Sequence, residues 1–337
     1  MKCKFKLMTS LVLAAALLSS LAAASEARGS DARGSEAQGS EAQGSEAQGS
    51  GAKSAGDPAW LRDLQKWRDQ RATALQAPGG WLSLIALGWL KEGDNSFGYA
   101  EDNKIQIAGK GPAHIGIVRL QKSFLNLLPP AEGFPKELLV NGTPAREQAL
   151  VADSDDRPTI MRLGTLTILM IHRDDQFAIR VKDLQAPTRV GFHGLHWYAP
   201  NEAYRVRAHW TPYDHPKTLD IPTVVGTTTH LPAPGVAEFT LEGKIFRLEP
   251  VIEDPTSADL FFIVRDTTSK TTTYGAGRFL YSEQPNHGID QPGEFWLDFN
   301  RLINPPCAYT AYATCPLPPA QNRLDVAIPA GEQRYHD

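Results

Sequence analysis

The chain has 337 residues, of which 42% are hydrophobic and 21% charged, enough apolar material for one sizeable core or two modest ones. That balance excludes a collagen, a coiled coil and a wholly disordered protein. With 34 basic against 38 acidic residues the net charge is -4, which argues against nucleic acid as a partner, because phosphate binding needs concentrated positive charge.

The chain opens with a targeting pattern. Lys2, Lys4 and Lys6 form a basic region, Leu7 to Leu21 an apolar one, and Ala22 to Ala24 a small-residue cleavage site, the signature of a secretory signal. The apolar run falls short of the roughly 20 residues a spanning helix needs. The expectation is an exported protein, periplasmic or extracellular, with residues 1–24 removed and no membrane span left. Cys3 goes with the signal. Residues 25–57 follow as a tether: Ser-Glu-Ala-Arg-Gly, Ser-Asp-Ala-Arg-Gly and three Ser-Glu-Ala-Gln-Gly copies. Such small polar repeats bury no core and match no solenoid period. Residues 1–57 carry as many basic as acidic side chains, so the charge of -4 belongs to the rest.

Asp57 followed by Pro58 predicts a helix start. Trp60, Leu61, Leu64, Trp67 and Leu75 then fall on one stripe, and Pro78-Gly79-Gly80 ends the helix. An amphipathic helix of this kind packs on the body of a domain or serves as a detachable partner helix. From Trp81 to Asp183 short alternating segments and turn signals predict strands, with hairpins at Asn141-Gly142 and Asp174-Asp175. From about residue 184 the chain is again β-rich. Tyr204 to Thr211 alternates, Phe239 to Leu248 turns at Glu242-Gly243-Lys244, and Leu260 to Val264 is apolar throughout, as in a strand covered on both faces. The fold class expected is mainly β: the helix, a sandwich lobe over 58–183, and a second barrel- or sandwich-like lobe over 184–337.

Leu90 to Gly98, Asn103 to Ile107, Pro112-Ala113-His114, Val140-Asn141-Gly142 and Arg162 to Leu166 resemble, in order, the forkhead-associated domain, a phosphothreonine-binding β-sandwich. Tyr99 stands where that family has a phosphate-binding Arg, and Gly111 where it has a phosphate-binding Ser. The resemblance therefore implies the shape without the phosphopeptide activity, and leaves His114 and Asn141 as loop supports. Thr273 to Leu280, Leu297 to Arg301, Asn304 to Thr310, Thr314 to Pro319 and Gln321 to Leu324 resemble the domain of unknown function 1684 family, and Gly80 to Leu84 and Leu90 to Asn95 fit its N-terminal pattern. That resemblance implies one family unit and supplies no reaction.

Three groups of residues carry possible chemistry. Cys307 and Cys315 are an even pair in an exported chain, which favours a disulfide over zinc ligation or a nucleophilic thiol. Tyr274, Arg278, Asp298, Asn300, Arg301, Asn304, Asn322 and Glu332 form a polar cluster among apolar strands, with Arg278 and Asp298 expected on neighbouring strands. Its functional reading is a site for a small polar or anionic ligand, with Arg278 as the charged donor and Tyr274, Asn300, Asn304 and Asn322 orienting. A hydrolase with Asp298 or Glu332 as general base is the alternative. A structural part in which Asn and Asp satisfy loop backbone is the third reading. His193, His196, His209 and His215 have loose spacing and complete no metal motif. No sequence motif calls for a cofactor, since the nucleophile elbow, the P-loop and the dinucleotide fingerprint are all missing.

Overall fold

The computed structural model describes residues 57–254 and 256–335. The signal segment and the tether up to Gly56 lie outside them. Helix α1 (Pro58–Gln76) starts as its sequence predicts: Pro58 occupies the first turn and the Asp57 carboxylate accepts from the Ala59 N–H at 2.9 Å. It stops where Gly80 crosses its last turn, so closely that a Cβ there would meet the Leu75 carbonyl at 2.4 Å.

The strands that follow are β1 (Leu84–Trp89), β2 (Gly93–Gly98), β3 (Ile105–Gln106), β4 (Gly116–Gln121), β5 (Phe124–Leu128), β6 (Leu139–Val140), β7 (Thr143–Pro144), β8 (Gln148–Leu150), β9 (Ile160–Leu163), β10 (Leu166–Arg173) and β11 (Gln176–Asp183). They make a six-stranded sheet in the order β1-β11-β10-β9-β6-β7 and a five-stranded sheet in the order β3-β2-β4-β5-β8. One core joins the two: Ile168, Met170, Ile179 and Val181 from the first meet Phe97, Val118, Leu125 and Leu127 from the second. This is the alternation rule at work, apolar side chains inward on both sheets. The hairpins turn where expected, with Asn141 and Asp174 at positive φ, a conformation Asn and Asp adopt more readily than other non-glycine residues.

A short helix α2 (Pro187–Val190) leads to β12 (Arg205–Pro222), β13 (Thr228–Leu241), β14 (Lys244–Leu248), β15 (Leu260–Val264), β16 (Arg278–Ser282) and β17 (Gly293–Asp298). Strands β14-β13-β12-β17 form an antiparallel sheet, and β15-β16 a separate ribbon. The ribbon explains the unbroken apolar run. Leu260, Phe262 and Val264 face one core together with Trp210, Phe239 and Leu297. Phe261 and Ile263 face another with Ile221, Phe279 and Cys315. The fold is mainly β, and among the described residues no sheet closes into a barrel. No described helix is long and apolar enough to cross a membrane.

Candidate functional site

Helix α1 buries Trp60, Leu64, Arg68 and Leu75. Its polar contacts reach residues far along the chain. The Trp60 indole donates to Asp298 Oδ2 at 2.7 Å, and Arg68 Nη2 to the Tyr198 carbonyl at 3.1 Å. Arg71 donates from Nε to Glu332 Oε1 at 3.0 Å and from Nη2 to the Asn304 carbonyl at 2.9 Å. The helix is thus docked on the polar cluster. Arg68 and Arg71 were the missed residues. They occupy positions on the Trp60–Leu64–Leu75 stripe where an apolar side chain belongs, and that interruption was the available signal.

The cluster residues come together, but in arrangements the sequence did not foresee. Arg278 and Asp298 are not neighbours in one sheet: β16 pairs with β15, whereas β17 pairs with β12. Arg278, 1% exposed, instead pairs with Asp266 at 2.8 Å and donates to the carbonyls of Ile328 (2.9 Å), Ala330 and Glu332 (3.3 Å). Asp266 spends its other oxygen on Thr268 and the Ile328 N–H. Glu332 is fully buried and accepts from Arg71, from the Asn304 N–H at 2.7 Å and from the Tyr309 hydroxyl at 2.6 Å. Burial pulls the Arg71 guanidinium down, but the Glu332 carboxylate outweighs it and the net shift is upward.

Asn300 and Asn322 act as pieces of strand. A carboxamide carries the same donor and acceptor as a peptide unit. Asn300 accepts from the Asn201 N–H and donates to the Asn201 carbonyl, both at 2.9 Å. Asn322 does the same to Glu249, at 2.9 and 2.8 Å. Asn304 donates to the Gln333 carbonyl at 2.7 Å, and its buried Oδ1 has no partner among the described residues. Asp298 accepts from Trp60 and from the Asn300 N–H at 3.0 Å. The Tyr274 hydroxyl donates to the Cys307 carbonyl at 3.1 Å.

The expected Cys307–Cys315 disulfide is a correction: the two sulfurs are not at bonding distance and both residues are free thiols. Cys315 Sγ accepts from the Cys307 N–H at 3.0 Å. Burial pushes the Cys315 thiol up, whereas a hydrogen bond from Cys315 holds the Cys307 thiol below its usual range. Among the described residues no three His, Cys, Asp or Glu side chains gather where they would ligate a metal.

A cleft of about 450 Å³ opens beside the cluster, between α1 and β16. Trp67 and Arg71 line it from the helix, and Tyr281, Ser282, Arg301 and Ile303 from β16 and the segment after β17, with the exposed acids Asp259 and Glu283. Arg301 lies over the Trp67 ring at 5.3 Å, pairs with the exposed Asp63, and is 3.7 Å from Asp298. Among strands β1 to β11, a hollow of about 300 Å³ brings together Tyr99, Lys110 and Gly111. The Tyr99 ring lies against Gly111, where a Cβ would meet it at 2.2 Å. His114 binds Asp102 and Glu132, and Asn141 Oδ1 accepts from the Ile160 N–H at 2.9 Å.

With this geometry in hand, residues 190–333 match the family described as "Protein of unknown function (DUF1684)". Every polar residue of the cluster that follows α1 falls within the DUF1684 match, while Trp60, Arg68 and Arg71 precede it. The segments Gly80 to Leu84 and Leu90 to Asn95 also lie outside it. A solution NMR structure of an uncharacterized protein from Haloarcula marismortui is 32% identical, covering 43% of this chain and 78% of that one, with a TM-score of 0.37. No curated protein matches the chain.

Proposed function

We propose that the protein is exported and that its C-terminal lobe recognises a small polar or anionic ligand in the cleft between α1 and β16. Export rests on the signal pattern of residues 1–24. The observation that carries the ligand reading is Arg301 in the cleft wall, its guanidinium carbon 5.3 Å from the centre of the Trp67 ring. A guanidinium beside an aromatic face can offer its N–H groups to a carboxylate or phosphate. Its partner Asp63 is 65% exposed, and so exposed an ion pair is weak enough for a ligand to replace. The cluster behind the cleft then has a supporting role: Arg278, Asn300, Asn304, Asn322 and Glu332 fix the surfaces that carry Arg71 and Arg301.

A purely structural role is the second reading. It is favoured by the saturation of Arg278 and Glu332 with protein partners. The hydrolase reading draws less support, because Asp298 and Glu332 both accept from protein donors. A thermal-shift screen of small carboxylates and phosphates on wild type, Arg301→Gln and Trp67→Ala separates the first two. Ligand recognition expects a saturable rise in Tm that both variants weaken. A wild type whose Tm no compound moves leaves the structural role standing.

A further inference from the structure

Arg180 lies in the middle of β11, paired with Leu169 of β10 and Leu87 of β1. Residues opposite each other in an antiparallel pair point to the same side. Arg180 therefore shares a face with Ala178, Lys182, Leu169 and Arg173, the face opposite Ile179 and Val181, which belong to the sandwich core. On that side its guanidinium carbon lies 5.7 Å from the centre of the Trp81 ring, and Trp81 packs on the core that holds Ala313 and Cys315. Arg180 is buried, 6% exposed.

Its hydrogen bonding is incomplete in a specific way. Among the described residues, Nε and Nη2 have no partner. These two nitrogens form one edge of the guanidinium plane, the edge that takes an anion side-on with two parallel hydrogen bonds. Arg278, equally buried, shows the contrast, since its Nη atoms find a carboxylate and three carbonyls. Leaving a buried cation with two unmet donors is among the costlier arrangements in a protein interior.

Nearby groups do not neutralise it. Asp153 is already taken by Arg173, which grips it with both Nη atoms at 2.9 and 2.8 Å. Lys182 adds a further cation, its Nζ donating to the Gly79 carbonyl at 2.6 Å. Burial first, and then the charge of Arg173, push the Arg180 guanidinium down to about 10, which still leaves it charged at neutral pH. This face of the sheet therefore carries Arg173, Arg180, Lys182 and the exposed Arg162, with Asp153 already committed to Arg173.

We propose that the Nε–Nη2 edge of Arg180 is a binding site for a small anion, an oxyanion or a halide, buried between the six-stranded sheet and Trp81. The site is separate from the Arg301 cleft and does not depend on the reading given to that cleft.

The test uses the full chain in sodium gluconate, a bulky anion, titrated at constant ionic strength with chloride, formate or phosphate. Binding is read by calorimetry and by Tm, and the size order of the three anions reads the room at the site. Wild type is expected to bind at least one of them saturably. Arg301→Gln is expected to retain that binding, and Arg180→Met to weaken it on the order of tenfold or more, the loss of a bidentate charged contact. The proposal is overturned if none of the three binds wild type, or if Arg180→Met binds as wild type does. Should Arg180→Met fail to fold, Arg180→Lys keeps the charge without the fork and is expected to bind more weakly. Crystals of wild type grown in bromide give an independent answer. An anomalous peak beside Nε and Nη2 supports the site, and a water with no anomalous signal there overturns it.

Discussion

The indole N–H of Trp60 donates to the Asp298 carboxylate across 238 positions of sequence. Asp298 ends β17 and its other oxygen caps the following turn through the Asn300 N–H. One carboxylate therefore fixes both the helix that begins the described fold and the turn that positions Arg301.

Replacing Trp60 by Phe keeps an aromatic side chain, deletes the bond and vacates part of the buried indole's space. A hydrogen bond to a charged group contributes about 1.5–3 kcal/mol, so Trp60→Phe is expected to lower the unfolding free energy by at least that amount in denaturant titrations, the packing loss adding to it. Amide exchange over α1 should quicken in parallel. A global stability change under ~0.5 kcal/mol, the range of an ordinary surface substitution, would show that α1 is a detachable helix after all.

Glu332 and Arg71 offer a sharper measurement. Removing one partner of a buried pair strands the other, at roughly 3–5 kcal/mol. Glu332→Ala is expected to fall in that range, since it also leaves the Asn304 N–H and the Tyr309 hydroxyl without their acceptor. In a double-mutant cycle with Arg71→Met, the two losses should be strongly non-additive. Additive losses would mean that the pair does not hold α1 in place.

A pH-dependent effect is expected at Glu253. Burial raises its carboxyl above the ordinary 4.5, partly offset by the hydrogen bond from the Tyr281 hydroxyl, 3.1 Å away. A folded-state value above the unfolded one means that the neutral form suits the fold. The stability it contributes is complete below pH 4.5 and lost as pH rises through the elevated value. Glu253→Gln cannot ionise and its amide oxygen still accepts from Tyr281. The variant should therefore melt above wild type at neutral pH, with the difference closing as pH falls below 4.5. A difference in Tm that stays constant from pH 3.5 to 8 would refute the assignment.

Much of the fold was legible because its causes are local. Asp57-Pro58 starts a helix by its own capping chemistry, and Glu242-Gly243 turns β13 into β14 with both residues at positive φ. The five apolar residues of β15 could be read as covered on both faces, and they are. The site was less legible because its causes are distant. That Arg278, Asn300 and Glu332 belong to one cluster followed from their closeness in sequence and their polarity among apolar strands. Their partners did not follow. Arg278 was expected to meet Asp298, and meets Asp266, because β16 forms its own ribbon with β15. Nothing between residues 260 and 300 states which strands pair. The cysteines show the same limit from the other side: an even pair eight positions apart satisfies the arithmetic of a disulfide without setting the distance between sulfurs.

The grip of Arg278 on the carbonyls of Ile328, Ala330 and Glu332 has a consequence for timing. Leu324, Val326, Ile328 and Ala330 complete the core between the four-stranded sheet and the ribbon, and Glu332 supplies the anion for Arg71. A chain cut at residue 320 already contains every described strand, yet Arg278 lacks its three carbonyls, Arg71 lacks its carboxylate, and the core is open on one side. The core around β12 to β17 therefore closes only once residues 324–332 are in place. Long-range contacts of this kind slow folding and prolong the exposure of unpaired edges.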